Sequence, residues 1–434
     1  MQVYQLGLLL LAALSLNLHY ALLGRPLLEG PLTSRPVLAL GNAAVGRLVR
    51  LAMTKEGVPN PDRTETYSSP NTKDSLSNRV DIFEPEEGSA APGQPRPAVL
   101  YFHSGAFIAG DRSFGAGVCG FLASHGFVCM SASYRLTNSG AGVAGCIEDA
   151  WAALRWTRAN AHRLNVDPSK IVVCGDSAGA LLATALGTGV GADVPTGMGG
   201  HNQVSRAELP AAVVANWPLT TLGSKTYVPK RAAAGGWEAT AAGKDFRVAS
   251  AFVPPKYGHS AEATQERLRT VLASGLLLFG RRLGGLLPAR ERYPADDGAS
   301  VSPLRRAGRA DLPPMLLLAG GADPVAPCEQ ASHFAESARA AGNDVAQLVF
   351  EGAEHGEGAV NCAAGRQATL DFLRHHRLLT GAARHTDDPR DAVGGALRAF
   401  GLKRVEYEPI GVPFQPDVHK AATVSFRPRV VRGK

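Results

Sequence analysis

The chain has 434 residues, 45% of them hydrophobic, and a formal net charge of +7. That is enough to bury a large core, as one big α/β domain with insertions or as two or three smaller domains. The arginines are scattered or in short groups (Arg281-Arg282, Arg305-Arg306) without long basic runs or interleaved aromatics, so nucleic-acid binding is disfavoured and a solvated basic surface is the plainer reading.

Residues 1–24 contain no Lys, Arg, Asp or Glu and centre on "LGLLLLAALSLNL". The length suits the apolar region of a signal peptide or a short membrane anchor, so a secretory or membrane-associated location is expected. A positive n-region and a clear small-residue cleavage site are missing, and the arginines of 25–55 keep an organelle leader open; a buried helix is the structural alternative. Residues 25–63 form an N-terminal segment in which 36–56, "PVLALGNAAVGRLVRLAMTKE", has helical periodicity and reads as a lid or covering helix.

From residue 64 to 380 strands and helices alternate. "NRVDIF" is a strand before the Pro/Gly-rich loop "GSAAPGQPRP". "AVLYF" and "FVCMSASY" follow as strands, and "CIEDAWAALRWTRANAHRL" puts Ile147, Ala150, Trp151 and Leu154 on one helical face. Then come the strands "KIVVCG", "AAVVANWP", "PMLLLAGG" and "AQLVFEG", with "EQASHFAESARAAG" as a further helix. Such alternation predicts a mainly parallel sheet covered on both faces. An irregular stretch at about 220–300, with "SGLLLFGRRLGGLL", reads as a helical cap insertion or as extra packed helices. Residues 381–434, polar, basic and dotted with prolines, read as a poorly ordered tail. The six cysteines show no metal spacing; Cys129 and Cys174 read as buried apolar residues, and Cys328 with Cys362 is the one pair to consider for a disulfide.

The strongest chemical signal is Gly175-Asp176-Ser177-Ala178-Gly179, between an apolar strand and a helix-forming run. This G-x-S-x-G in a strand–turn–helix setting exposes a strained serine over a helix N-terminus, where a plain N-cap serine is the alternative. A serine nucleophile needs a base and an orienting acid. His355 lies past a late strand between glycines, in "EGAEHGEG", and Asp323 follows the preceding strand in "AGGADP". His125, His162, His333 and His375 fall in helical patterns, where a surface role is the default. The tetrahedral intermediate needs backbone N–H donors: one from Ala178, the others from a small-residue loop, for which His103-Ser104-Gly105-Ala106-Phe107 is the candidate.

With these motifs in this order, the chain resembles the hormone-sensitive-lipase-like family of α/β-hydrolases, the branch with a GDSAG elbow. "HSGAF" stands where that family has H-G-G-G and an aromatic; "SASYRL", "EDAWAALRW" and "DLPPMLLLAGGADP" match its other segments, over about 80–375. The resemblance implies a mainly parallel sheet flanked by helices with a helical cap, a triad of Ser177, Asp323 and His355, and oxyanion donors at Gly105, Ala106 and Ala178, with His103 supporting the loop. Two glycines of the usual loop are replaced by Ser104 and Ala106. A backbone donor tolerates Ala where φ is ordinary but not readily where φ is positive. No metal or organic cofactor is implied. The expected activity is carboxylic-ester hydrolysis through an acyl-enzyme, on a small or lipid-like ester. Amidase, deacetylase and acyltransferase chemistry share the same triad, and some relatives have become ligand-binding receptors that lost the histidine, which is present here. Membrane association would rest on residues 1–24, and the oligomeric state has no signature in the sequence.

Overall fold

A computed structural model describes residues 46–67, 78–85, 94–107, 110–136, 142–192, 204–221, 228–231, 237–240, 301–323, 325–379, 392–393, 396, 405–419 and 423–429. In chain order these form α1 (46–55), β1 (Arg63–Thr66), β2 (Arg79–Phe83), β3 (Arg96–Phe102), α2 (Ala116–Ala123), β4 (Val128–Ala132), α3 (Gly142–Ala159), β5 (Val166–Asp176) and α4 (Ala178–Thr188). Next come β6 (Ala212–Asn216), β7 (Val228–Arg231), β8 (Trp237–Thr240), β9 (Met315–Gly320), α5 (Cys328–Ala340), β10 (Val345–Phe350), α6 (Ala363–His375), β11 (Tyr407–Pro409) and β12 (Thr423–Pro428).

Ten strands make one sheet in the order β1-β2-β4-β3-β5-β6-β9-β10-β12-β11. The run from β4 to β12 is parallel, and β1, β2 and β11 pair antiparallel at its margins. Alternation along each strand feeds two cores. Leu100, Phe102, Val173 and Leu317 face one side with α3, α4 and α5, whereas Val99, Tyr101, Val172 and Leu316 face the other with α1, α2 and α6. Both faces are dry, which is why these strands are continuous apolar runs. Each fully buried Leu or Val contributes about 1.5–3 kcal/mol. This is the mainly parallel, helix-flanked α/β-hydrolase architecture expected.

The register aligns the strand ends that matter. Phe102 pairs with Gly175, Asp176 with Asn216, and Gly320 with Phe350, so five loops leave the same edge of the sheet side by side. Helix α1 lies on the second core through Val49 and Met53, one turn apart, and Arg50 binds Asp81 of β2 at 2.5 Å.

One expectation changes, and others fall mostly or wholly outside the described residues. The basic C-terminal segment 381–434 is no mere tail: within it β12 pairs in parallel with β10, and β11 closes beside it. The alternation of Val424 and Phe426 explains this, since both are buried and Phe426 stacks on Phe350 with ring centroids 5.0 Å apart. Of the cap at about 220–300, expected to be helical, nearly all lies outside the described residues; the described part includes the antiparallel hairpin β7–β8, with β-favouring Val228, Trp237 and Thr240. Residues 1–24, and with them the signal or anchor reading, also lie outside. Among the described residues no helix is long and apolar enough to cross a membrane. All six cysteines are free, Cys328 and Cys362 included.

Candidate active site

Ser177 ends the turn between β5 and α4 with φ 55° and ψ −112°, a left-handed φ for a residue that carries a side chain. Small neighbours are what permit it. A Cβ on Gly175 would run into the Gly179 carbonyl, and one on Gly179 into the Phe102 carbonyl at the end of β3. The Ser177 N–H donates to the Asn216 carbonyl at 2.9 Å, which fixes the strained turn to β6.

His355 reaches this serine from the loop after β10. Its Nε2 lies 2.9 Å from Ser177 Oγ, and its Nδ1 lies 2.7 Å from Asp323 Oδ2. The second carboxylate oxygen, Oδ1, accepts from the N–H groups of Val325 and Ala326 at 2.8 and 2.9 Å. Asp323 is thereby held with one oxygen committed to the backbone and the other to the imidazole, which favours the tautomer with its proton on Nδ1. The three residues read from sequence as nucleophile, base and acid therefore meet in one hydrogen-bonded line. Gly320 lets the histidine loop close over the end of β9, and Ala322 N–H donates to the Ala353 carbonyl at 2.9 Å.

The loop after β3 adjoins the elbow because Phe102 pairs with Gly175. Gly105 has φ 124°, and Ala106 and Phe107 follow at 52° and 62°. Ala106 thus takes the positive φ that glycine would take without strain. Phe107 is fully buried and anchors the turn. The Ala178 N–H belongs to the first turn of α4, whose donors have no partner within the helix and point towards the serine end.

His103 has no part in the Ser177–His355–Asp323 line. Its ring is buried, its Nδ1 lies 2.7 Å from the Ser104 carbonyl, and it stacks on Tyr134 at 4.2 Å. Burial pushes it down to about 4, against the Ser104 bond, so it is neutral at physiological pH. The Tyr134 hydroxyl donates to the His103 carbonyl at 2.8 Å. The next residue, Arg135, is clamped by Asp149 and Glu148 of α3 at 2.9 Å each. The Tyr-Arg pair of "SASYRL" is therefore a brace for the loop, which its resemblance to a family motif alone did not explain.

Three site residues escaped the sequence reading. Asp176, next to the serine in the turn, is half-buried and accepts from Tyr101 Oη at 2.7 Å and Asn216 Nδ2 at 2.8 Å. Burial pushes its carboxyl up to about 6, against these two bonds. Asn216 is thus a partner of the elbow through both its backbone and its side chain. Trp217, with φ 50°, sits with its ring 6.1 Å from that of His355, and its Nε1–H donates to the Glu357 carbonyl at 2.8 Å. In sequence each reads as an ordinary strand-end residue; only the position at the catalytic edge of a parallel sheet could have flagged them.

A serine, an imidazole and a carboxylate in this line can generate a nucleophile, and the turns beside it offer backbone donors for a developing oxyanion. Comparison with known proteins finds relatives in sequence and in fold. A family model described as alpha/beta hydrolase fold matches residues 99–273. Esterase LipC of Mycobacterium tuberculosis is 28% identical over 267 residues, 61% of this chain and 54% of LipC. Carboxylesterase NlhH of the same species is 39% identical over 95 residues, 21% of this chain and 28% of NlhH. The chain thus spans about half, or less, of the length of these curated relatives. Among solved structures, a thermophilic esterase from Thermogutta terrifontis aligns with a TM-score of 0.50 and 26% identity, over 75% of this chain and 96% of that one.

Proposed function

From the α/β-hydrolase fold of this chain we propose that it is a serine carboxylic-ester hydrolase working through a covalent acyl-enzyme. The observation that carries the proposal is the continuous line Ser177 Oγ–His355–Asp323, at 2.9 and 2.7 Å.

In this reading Ser177 Oγ attacks the ester carbonyl carbon while His355 Nε2 takes the hydroxyl proton. Asp323 holds the imidazole and stabilises its cation. The carbonyl oxygen becomes an oxyanion, received by the N–H groups of Gly105, Ala106 and Ala178. Collapse expels the alcohol, which leaves with the proton from His355. Water, deprotonated by the same imidazole, then attacks the acyl carbonyl, and the acid departs as Ser177 regains its proton. The donors cost no reorganisation at that moment, because Phe107, Tyr134 and the helix start already fix their backbone.

A short acyl group is the proposed substrate class; another structure of the Thermogutta terrifontis esterase, similar to this chain at a TM-score of 0.50, carries bound butyrate. For compartment, the uncharged residues 1–24 support a secretory or membrane-associated location, to be checked by sequencing the N-terminus of the mature protein.

The test is hydrolysis of a panel of aryl esters from acetyl to long-chain acyl, with matched anilides. Ser177→Ala should lower kcat/KM by on the order of 10⁴-fold or more. A fluorophosphonate should label the parent and not the variant. Undiminished turnover by Ser177→Ala would refute the assignment of the nucleophile, and failure of the folded parent to label would favour a binding protein; faster turnover of the anilides would favour an amidase.

A further inference from the structure

At the end of the sheet opposite Ser177, Asp344, His375 and His376 bring one ligating atom each within 4.8 Å of one another. Asp344 immediately precedes β10, and β10 runs parallel to the other central strands, so this cluster lies at the edge where those strands begin. The two histidines stand at the C-terminal end of α6, which crosses back over the second core.

We propose that Asp344, His375 and His376 form a binding site for a divalent transition metal of the zinc class, separate from the hydrolytic site. The first argument is distance. Tetrahedral zinc with bonds of about 2.0–2.1 Å needs donor atoms about 3.3–3.4 Å apart. His376 Nε2 and Asp344 Oδ2 stand 3.6 Å apart, and a His375 ring nitrogen completes a group whose donor atoms all lie within 4.8 Å of one another. At 3.6 Å that pair is too far apart for a hydrogen bond with each other, though within ion-pair distance were the imidazole protonated.

The second argument is that the frame is built. The Asp344 carbonyl accepts from Met315 N–H at 3.0 Å, which fixes its backbone to β9. The His376 ring stands edge-on to Phe372 at 4.7 Å and to His375 at 4.8 Å. Just beyond, Arg377 turns with φ 56° and Leu378 N–H donates to the Leu373 carbonyl, while Leu378 and Leu379 are buried in the second core. Two of the three ligands are therefore held in place before any ion arrives, and His375, which is exposed, closes from outside.

Donor chemistry selects the ion. Two imidazoles and one carboxylate suit zinc, cobalt, nickel or copper, whereas calcium and magnesium prefer all-oxygen shells. Three protein ligands leave the fourth position to water. The ion would tie the end of α6 to the turn before β10, so its effect is a cross-link in the scaffold.

The experiment uses the full chain, stripped with EDTA and dialysed. Cobalt(II) is titrated first for its visible spectrum, then zinc by calorimetry, against His375→Ala, His376→Ala and Asp344→Asn. The expected result is one equivalent of metal, four-coordinate cobalt bands, and affinity lowered at least about tenfold in each variant. Saturating zinc should raise the melting midpoint of the parent by more than that of any variant. His375→Ala, an exposed change, is the variant to read should either of the others melt early in EDTA. No metal bound by the parent, or metal bound equally well by the variants, would overturn the site.

Discussion

Two turns at the same edge of the sheet hold residues at positive φ, and they do so by opposite means. At the elbow, Ser177 is strained while Gly175 and Gly179 around it supply the room; a Cβ on either would collide with backbone. In the loop after β3 the strained residues, Ala106 and Phe107, carry side chains themselves. What keeps them is side-chain anchorage: Phe107 buried in the core, His103 stacked on Tyr134, and Tyr134 bound to the His103 carbonyl. Strain held by backbone against backbone admits no substitution, whereas strain held by side chains can be adjusted. The elbow is therefore the rigid partner and the loop after β3 the tunable one.

The sharpest way to break this contrast is Gly179→Ala. Its methyl would force β3 and α4 apart, so a loss of more than about 4 kcal/mol in stability is expected, read from chemical unfolding. A variant that melts like the parent would mean the elbow has slack. Next comes a pair of histidines. His355→Ala should lower kcat/KM by on the order of 10⁴-fold or more, as expected for loss of the proton shuttle. His103→Ala, which only loosens the loop, should cost on the order of 10²-fold or less. Equal losses would show that the loop histidine takes part in the chemistry.

Acidity should separate the two turns as well. Asp176 in the elbow is raised by burial from its ordinary 3.8 to about 6, so its neutral form is the one the fold favours. That preference is fully present below pH 3.8 and is lost as pH rises through 6. Asp176→Asn should therefore stabilise the protein above pH 7, by at most about 3 kcal/mol, and give no gain near pH 4. The Asn216 Oδ1 atom, buried without a hydrogen-bond partner, can turn to accept from the new amide. His103 in the loop behaves in reverse. Its depressed value of about 4 gives stability that is present above pH 6.5 and lost as pH falls towards 4. Urea midpoints of parent and variants at pH 4.5 and 8 test both signs. Smallest of all is Ala106→Gly, which should relieve about 1 kcal/mol of backbone strain and move kcat/KM by less than tenfold. A large loss there would mean that the methyl group itself shapes the acyl pocket.

How much of this was legible in sequence follows from the same physics. The central strands announce themselves because burial on both faces leaves runs such as "KIVVCG" and "PMLLLAGG". Glycines mark the elbow because they are sterically required there, and Asp323 and His355 are found by their places after two strands. By contrast, Ala106, Phe107 and Trp217 leave no trace of their positive φ, since the residue types do not ask for it. Asp176, Asn216 and Tyr101 form their network across three neighbouring strands, β5, β6 and β3, which only the register reveals. β11 and β12 were hidden by brevity and flanking prolines. His375 reads as a surface helix residue and is one, but its closeness to Asp344, 31 positions earlier, has no sequence tie.

The placement of β12 has a consequence for how the molecule is made. Of the described strands it is the last to leave the ribosome, yet it pairs with β10 and covers Phe350. Until Thr423–Pro428 has been synthesised, β10 is left with an unpaired row of peptide groups, an open template for strands of other chains. The nascent protein is therefore most exposed to aggregation when Ser177, Asp323 and His355 have already been translated. A chain stopped after Leu379 should carry Ser177, Asp323 and His355 and still fail to stay soluble.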